Sequence, residues 1–152
     1  MTEPYGWGGA RNDSPSRTPE VAGLLLAAGG GRRLGGRPKA LLPLHGRPLV
    51  DHAVRALRAG GCARVHVVLG AAADEVRALL LASPPVPGCV LVDNPDWETG
   101  MGSSLRVGLD SLEGSGADAA LVSLVDQPGI GAQAISRVRT ACHSSASLAA
   151  AA

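Results

Sequence analysis

The chain contains no phenylalanine, one tyrosine and two tryptophans, so any core it builds must be aliphatic. It lacks a charge excess: the formal net charge of +1 excludes the strongly basic face of a general nucleic-acid binder. It has no CxxC pair. Cys62, Cys89 and Cys142 are scattered and read as small core hydrophobes of a reducing compartment, not as a disulfide or metal set. His45, His52, His66 and His143 show no metal-ligand spacing, and His66, alternating within a strand, reads as structural. No G-x-S-x-G elbow of a serine hydrolase is present. No apolar run reaches membrane-spanning length, and the opening "MTEPYGWGGARNDSPSRTPE" has no hydrophobic signal core. A cytoplasmic protein with neither nucleic acid nor membrane as partner is expected.

What is present is one domain's worth of alternating elements in 152 residues. Residues 1–20 are polar and rich in Gly and Pro, which predicts a disordered leader. "VAGLLLA" from Val21 is a continuous apolar run, as expected of a strand buried on both faces. Val50, Ala53, Val54 and Leu57 fall at i, i+3, i+4 and i+7, predicting an amphipathic helix over 48–59 stopped by Gly60 and Gly61. "ARVHVVLG" predicts a second strand. "ADEVRALLL" predicts a helix with Asp74 and Glu75 at its positive end and Val76, Leu79 and Leu80 on one face.

"CVLVDN" predicts a third strand. "MGSSLRVGLDSL" predicts a helix with Leu105, Leu109 and Leu112 on one side. "ADAALVSLVDQPG" predicts a fourth buried strand. Residues 132–142 predict a last helix on Ile135, Val138 and Cys142, before a low-complexity tail over 143–152. This β-α order implies an α/β fold: an open parallel sheet with helices on both faces. Ligands of such sheets bind outside the carboxyl ends of the strands.

Three segments fall at those ends. The first is the glycine loop after the first strand. No Asp or Glu lies between Val21 and Val50, while Arg32, Arg33, Arg37, Lys39 and Arg47 do. A local cationic site suits a small polyanion. The loop is not a Walker loop, because Arg37-Pro38 follows Gly36 where Lys-Ser/Thr is required. It is not a dinucleotide fingerprint, because Leu34 takes the third glycine position. Glycines let backbone N–H groups approach phosphate oxygens, and Arg33 and Lys39, the sole lysine, could neutralise a triphosphate. A flexible loop with solvated arginines is the other reading.

The second segment is Asp126, directly after "LVSLV". A carboxylate there can hold Mg²⁺ against phosphate oxygens, or merely start a turn before proline. The third is "NPDWETGMGSSLRVGL". Gly100 and Gly102 permit close approach, Ser103 or Ser104 can cap the following helix, and Asn94, Asp96 and Trp97 could line a pocket beside an anion-binding helix N-terminus. An ordinary capped helix with a surface Trp is the alternative.

Together, "LLLAAGGGRRLGGRPKALLPLHGRPLVDHAV", "NPDWETGMGSSLRVGL" and "LVSLVDQPGI" resemble the three blocks of the MobA-like nucleotidyltransferases, over about Val21 to Ile130. "GRPK" and "GMGSSL" place the resemblance nearest the molybdenum cofactor cytidylyltransferase branch. The resemblance implies a three-layer, Rossmann-like, GT-A-like fold occupying residues 21–142. It implies transfer of CMP from CTP onto the terminal phosphate of a molybdopterin-type acceptor, with release of pyrophosphate. It also implies Mg²⁺ as cofactor, and a molybdenum hydroxylase apoenzyme as a candidate recipient of the product.

By the same resemblance Ala27, Ala28, Gly29, Gly30, Gly31, Arg33, Lys39, Asn94, Gly100, Ser103 and Ser104 bind the nucleotide. Arg33, Lys39 and Asp126 are catalytic, and Asp126 holds the metal. The family's later blocks, which build the acceptor side, have no counterpart after Ile130, so the C-terminal part of the fold is expected to be missing. An NTP-binding remnant without turnover, and a guanylyl- or sugar-phosphate nucleotidyltransferase, remain the alternatives.

Overall fold

A computed structural model describes residues 19–30, 37–82, 86–127 and 129–143. Most of the expected leader and tail, with Gly31 and Arg33 of the glycine loop, lie outside the described residues. Four parallel strands form the sheet: β1 (Val21–Leu26), β4 (Val65–Leu69), β5 (Cys89–Asp93) and β6 (Ala119–Leu124). Helices α1 (Leu49–Ala59), α2 (Ala73–Ala82), α3 (Met101–Leu112) and α4 (Ala132–His143) alternate with them. A short hairpin, β2 (Pro43–Leu44) and β3 (Arg47–Pro48), precedes α1.

The sheet order is β5-β4-β1-β6. From β1 the chain steps outward to β4 and β5, then returns to the other side of β1 as β6. The direction reverses between β1 and β6, and the crevice at their carboxyl ends is where such sheets bind ligands.

Strand alternation sorts the core into two layers. Val21, Leu25, Val65, Val67, Leu69 and Leu121 face one side and pack with Val50, Val54 and Leu57 of α1, Val76 of α2 and Ile135 of α4. Ala22, Leu24, Leu26 and Val68 face the other and pack with Leu112 and Leu105 of α3. Leu24, Leu25 and Leu57 are fully buried, each contributing roughly 1.5–3 kcal/mol of transfer free energy. Cys62 is buried in this aliphatic core, and burial pushes its thiol up, as it does for Cys89 at the core's edge.

Three expectations need correction. β6 is not buried on both faces: it is an edge strand, and Val122 is 45% exposed. Leu109 of α3 is 43% exposed; the buried face of that helix runs through Ser104, Gly108 and Leu112. Small residues there let the helix lie close on the sheet, and a Cβ on Gly108 would come within 2.4 Å of Leu24 Cδ1. Finally, Glu20 belongs to the fold. Its carboxylate accepts from Arg64 Nε at 2.5 Å and its N–H donates to Asp118 at 2.7 Å.

Candidate functional site

The two strands that flank the reversal deliver the first pieces. Beyond β1 the backbone stays paired to its neighbour, with Ala27 N–H donating to Val68 O and Ala28 O accepting from Ala71 N–H, each at 3.0 Å. Ala27 is buried in the core. Gly29 and Gly30 then leave the sheet at the crevice. Beyond β6, Val125 N–H still reaches Leu26 O at 3.3 Å and its side chain is buried. Asp126 follows in the turn after β6 and, with Val125, lines the crevice.

Lys39 reaches the same place from the far end of the glycine loop. It opens a one-turn 3₁₀ helix, Lys39–Leu41, anchored by buried Ala40. The β2–β3 hairpin holds this turn against α1. Its tip residues His45 and Gly46 have φ of 51° and 80°, as a tight hairpin turn requires. Leu49 N–H donates to Leu42 O at 2.8 Å, and His52 Nε2 sits 2.6 Å from Leu44 O. Lys39 Nζ thereby lies 3.0 Å from Asp126 Oδ2, with both side chains about two-fifths exposed.

The third wall comes from the segment after β5. Gly100, at φ 121°, separates a 3₁₀ turn (Trp97–Thr99) from α3, and no side chain caps that helix. This corrects the expected serine cap. Ser103 Oγ instead donates back to Gly100 O at 2.8 Å, with Asp96 O at 3.1 Å. Gly100 takes the cap position because only glycine accepts that φ readily, and it brings no capping side chain. The uncapped helix N-terminus opens onto the crevice, an arrangement suited to anions.

Asn94 fixes this wall from behind. It is 2% exposed. Its Nδ2 donates to Ser103 Oγ and Ser104 Oγ, each at 2.9 Å, and its Oδ1 accepts from Asp96 N–H at 3.0 Å.

The walls enclose a cleft of about 420 Å³. Of the expected residues, Ala28, Gly29, Gly30 and Lys39 line it from the first segment. Gly100, Ser104 and Asp126 line it from the others. Ala27, Asn94 and Ser103 do not; they sit behind the lining. Trp97 and Glu98 do line it. Trp97 was legible as a pocket candidate, whereas nothing in the pattern marked Glu98.

Among the described residues no group of three His, Cys, Asp or Glu could hold a metal. Asp126, with Glu98 on the same cleft, could still hold Mg²⁺, which is commonly held by one or two carboxylates together with substrate phosphates. No described helix is long and apolar enough to cross a membrane.

Comparison with known proteins bears on the family and the fold. The profile of the MobA-like NTP transferase domain matches residues 23–152. Nicotine blue oxidoreductase of Paenarthrobacter nicotinovorans is 45% identical over 120 residues, covering 79% of this chain and 56% of that protein. Molybdenum cofactor guanylyltransferase of Rhodobacter capsulatus is 35% identical over 129 residues, covering 80% and 58%. The solved structure of Rv0371c from Mycobacterium tuberculosis in complex with manganese superposes with a TM-score of 0.62 at 26% identity, covering 82% and 60%. The chain thus spans little more than half the length of these relatives.

Proposed function

The chain belongs to the MobA-like NTP transferase family, and from that premise we propose that it transfers a nucleoside monophosphate, CMP from CTP, onto the terminal phosphate of a molybdopterin-type acceptor. The observation that carries this reading is the meeting of Lys39 and Asp126, 3.0 Å apart, at a cleft whose other walls include glycine backbone and an uncapped helix N-terminus. Those are the parts needed to hold and neutralise a triphosphate.

In the reaction an oxygen of the acceptor phosphate forms a bond to the α-phosphorus of CTP. The bond from that phosphorus to the α–β bridging oxygen breaks, and pyrophosphate leaves with the electron pair. No side chain need bond covalently to the nucleotide. Gly29 and Gly30 offer backbone approach to the phosphates, and the α3 N-terminus adds positive potential. Lys39 stabilises charge on the α-phosphate and the departing pyrophosphate. Arg33, beyond the described residues, is proposed to join it. Asp126 would hold Mg²⁺, which when bound neutralises phosphate charge. Catalysis is then positioning plus electrostatics. Asn94 and Ser103 contribute by setting the wall that carries Gly100 and Ser104.

The manganese complex of the structural relative supports use of a divalent ion. The guanylyltransferase relative supports a molybdenum cofactor acceptor. A second reading rests on the relative named as an oxidoreductase, at 45% identity: the same cleft would take a redox dinucleotide. The absent G-x-G-x-x-G spacing weighs against it.

The deciding experiment offers molybdopterin with CTP, GTP or ATP and Mg²⁺, and in parallel NADH or NADPH, with chromatography of the products. The proposal expects a cytidine dinucleotide and pyrophosphate. A guanine dinucleotide alone would overturn the base assignment. Tight NADPH binding without NTP binding would overturn the transferase reading.

A further inference from the structure

The chain has three Phe, Tyr or Trp residues in all. Tyr5 and Trp7 lie near its start, so Trp97 is the only such residue among those described. Trp97 packs one side against the core layer beneath α3 and also lines the candidate site, in a fold whose core is otherwise aliphatic.

That ring is held tightly. A Cβ on Gly70, just after β4, would lie 2.5 Å from Trp97 Cβ and 2.6 Å from Cγ. A Cβ on Gly30, in the phosphate loop, would lie 2.9 Å from Trp97 Cζ3 and 3.2 Å from Cη2. The indole therefore spans from the end of β4 to the loop after β1, and both positions need glycine to admit it. From behind, Asp96 is fixed by Asn94, and Thr99 Oγ1 donates to Asp96 O at 2.8 Å. The half-buried ring lines the cleft. Phosphate chemistry makes no use of an indole, whereas a planar heteroaromatic ring does.

We propose that Trp97 is the base-binding wall of the cleft: the nucleobase packs against its indole, and the indole's contact with Gly30 passes base occupancy to the phosphate loop. This rests on the NTP reading above. Aromatic packing accepts any base, so Trp97 sets preference for a nucleotide over a bare triphosphate, not the choice among bases.

Trp7→Phe leaves Trp97 as the only tryptophan. Titration of that full-length variant with CTP, and separately with inorganic tripolyphosphate, is followed by tryptophan emission and by calorimetry. CTP is expected to quench Trp97 strongly, and tripolyphosphate to bind with little change. Trp97→Leu is expected to weaken CTP at least tenfold while changing tripolyphosphate affinity less than twofold, and Trp97→Phe to retain most CTP affinity. Equal weakening of both ligands, or CTP binding with unchanged emission, overturns the proposal while leaving the NTP reading intact. Binding of neither ligand to the Trp7→Phe protein sinks the NTP reading and this inference together.

Discussion

Lys39 Nζ and Asp126 Oδ2 lie 3.0 Å apart although they are 87 positions apart in the chain. The pair joins the cation expected to meet phosphate with the carboxylate expected to hold metal. Without ligand, each occupies the other. Both are partly exposed, so the pair is worth only about 0–1 kcal/mol. Lys39→Gln is therefore predicted to tighten Mn²⁺ binding to the nucleotide-free protein by about two- to fivefold. Asp126→Asn is predicted to abolish it. Electron paramagnetic resonance of free Mn²⁺ measures both, and unchanged binding in Asp126→Asn would remove Asp126 from the metal site.

Asn94 organises the wall rather than the ligand. Asn94→Ala leaves the Asp96 N–H and two serine hydroxyls short of their partner. A loss of about 1–3 kcal/mol in urea unfolding is expected, the usual cost of orphaned buried polar groups. CTP affinity should fall with it, because Trp97 and the start of α3 lose their support. Full stability in the variant would contradict this assignment.

Gly108 and Gly102 sit in the same helix with opposite surroundings. Gly108→Ala drives a methyl into Leu24, which is fully buried, and is predicted to cost about 1–3 kcal/mol by overpacking. Gly102→Ala meets nothing within 4 Å and should be neutral or slightly stabilising. Thermal unfolding of the two variants tests the contrast.

His66 gives the fold a pH dependence. Ser111 donates its hydroxyl proton to Gly108 O at 2.6 Å, so His66 Nδ1–H donates to Ser111 Oγ at 2.8 Å. Desolvation, and then the Arg64 charge, hold the imidazole pKa below its ordinary 6.5. The unfolded chain therefore takes up a proton before the folded protein does. Stability is full above about pH 6.5 and falls as pH drops toward the lowered folded value. His66→Asn should flatten the melting temperature between pH 7 and pH 5; an unaltered slope would show that other groups set it.

Element bounds were legible from period, although in α3 the buried face departs from the apolar stripe at Leu109. "MGSSLRVGLDSL" matches α3 to the residue, and the alternation of elements led directly to the parallel sheet. The β2–β3 hairpin was not legible: two-residue strands carrying Pro43 and Pro48 show no alternation. The exposure of β6 was not legible either, since Leu121 to Val125 reads the same at an edge as at the centre. Strand order, and hence the crevice between β1 and β6, depends on which way each crossover turns. Lys39 and Asp126 were identifiable as types at loop positions, but their meeting required that order. Ser103 and Ser104 misled because a hydroxyl near a helix start fits a cap equally well as a tie to buried Asn94.

In the proposed reaction this cleft holds a metal-bound nucleoside triphosphate by its phosphates. Calorimetric titration of the full chain with CTP, with and without Mg²⁺, tests it most directly when repeated on Lys39→Gln. One saturable, Mg²⁺-dependent site is expected, weakened at least about tenfold in the variant, as when a charge-assisted phosphate contact is removed. Undiminished affinity in Lys39→Gln, or no CTP binding at all, would contradict it.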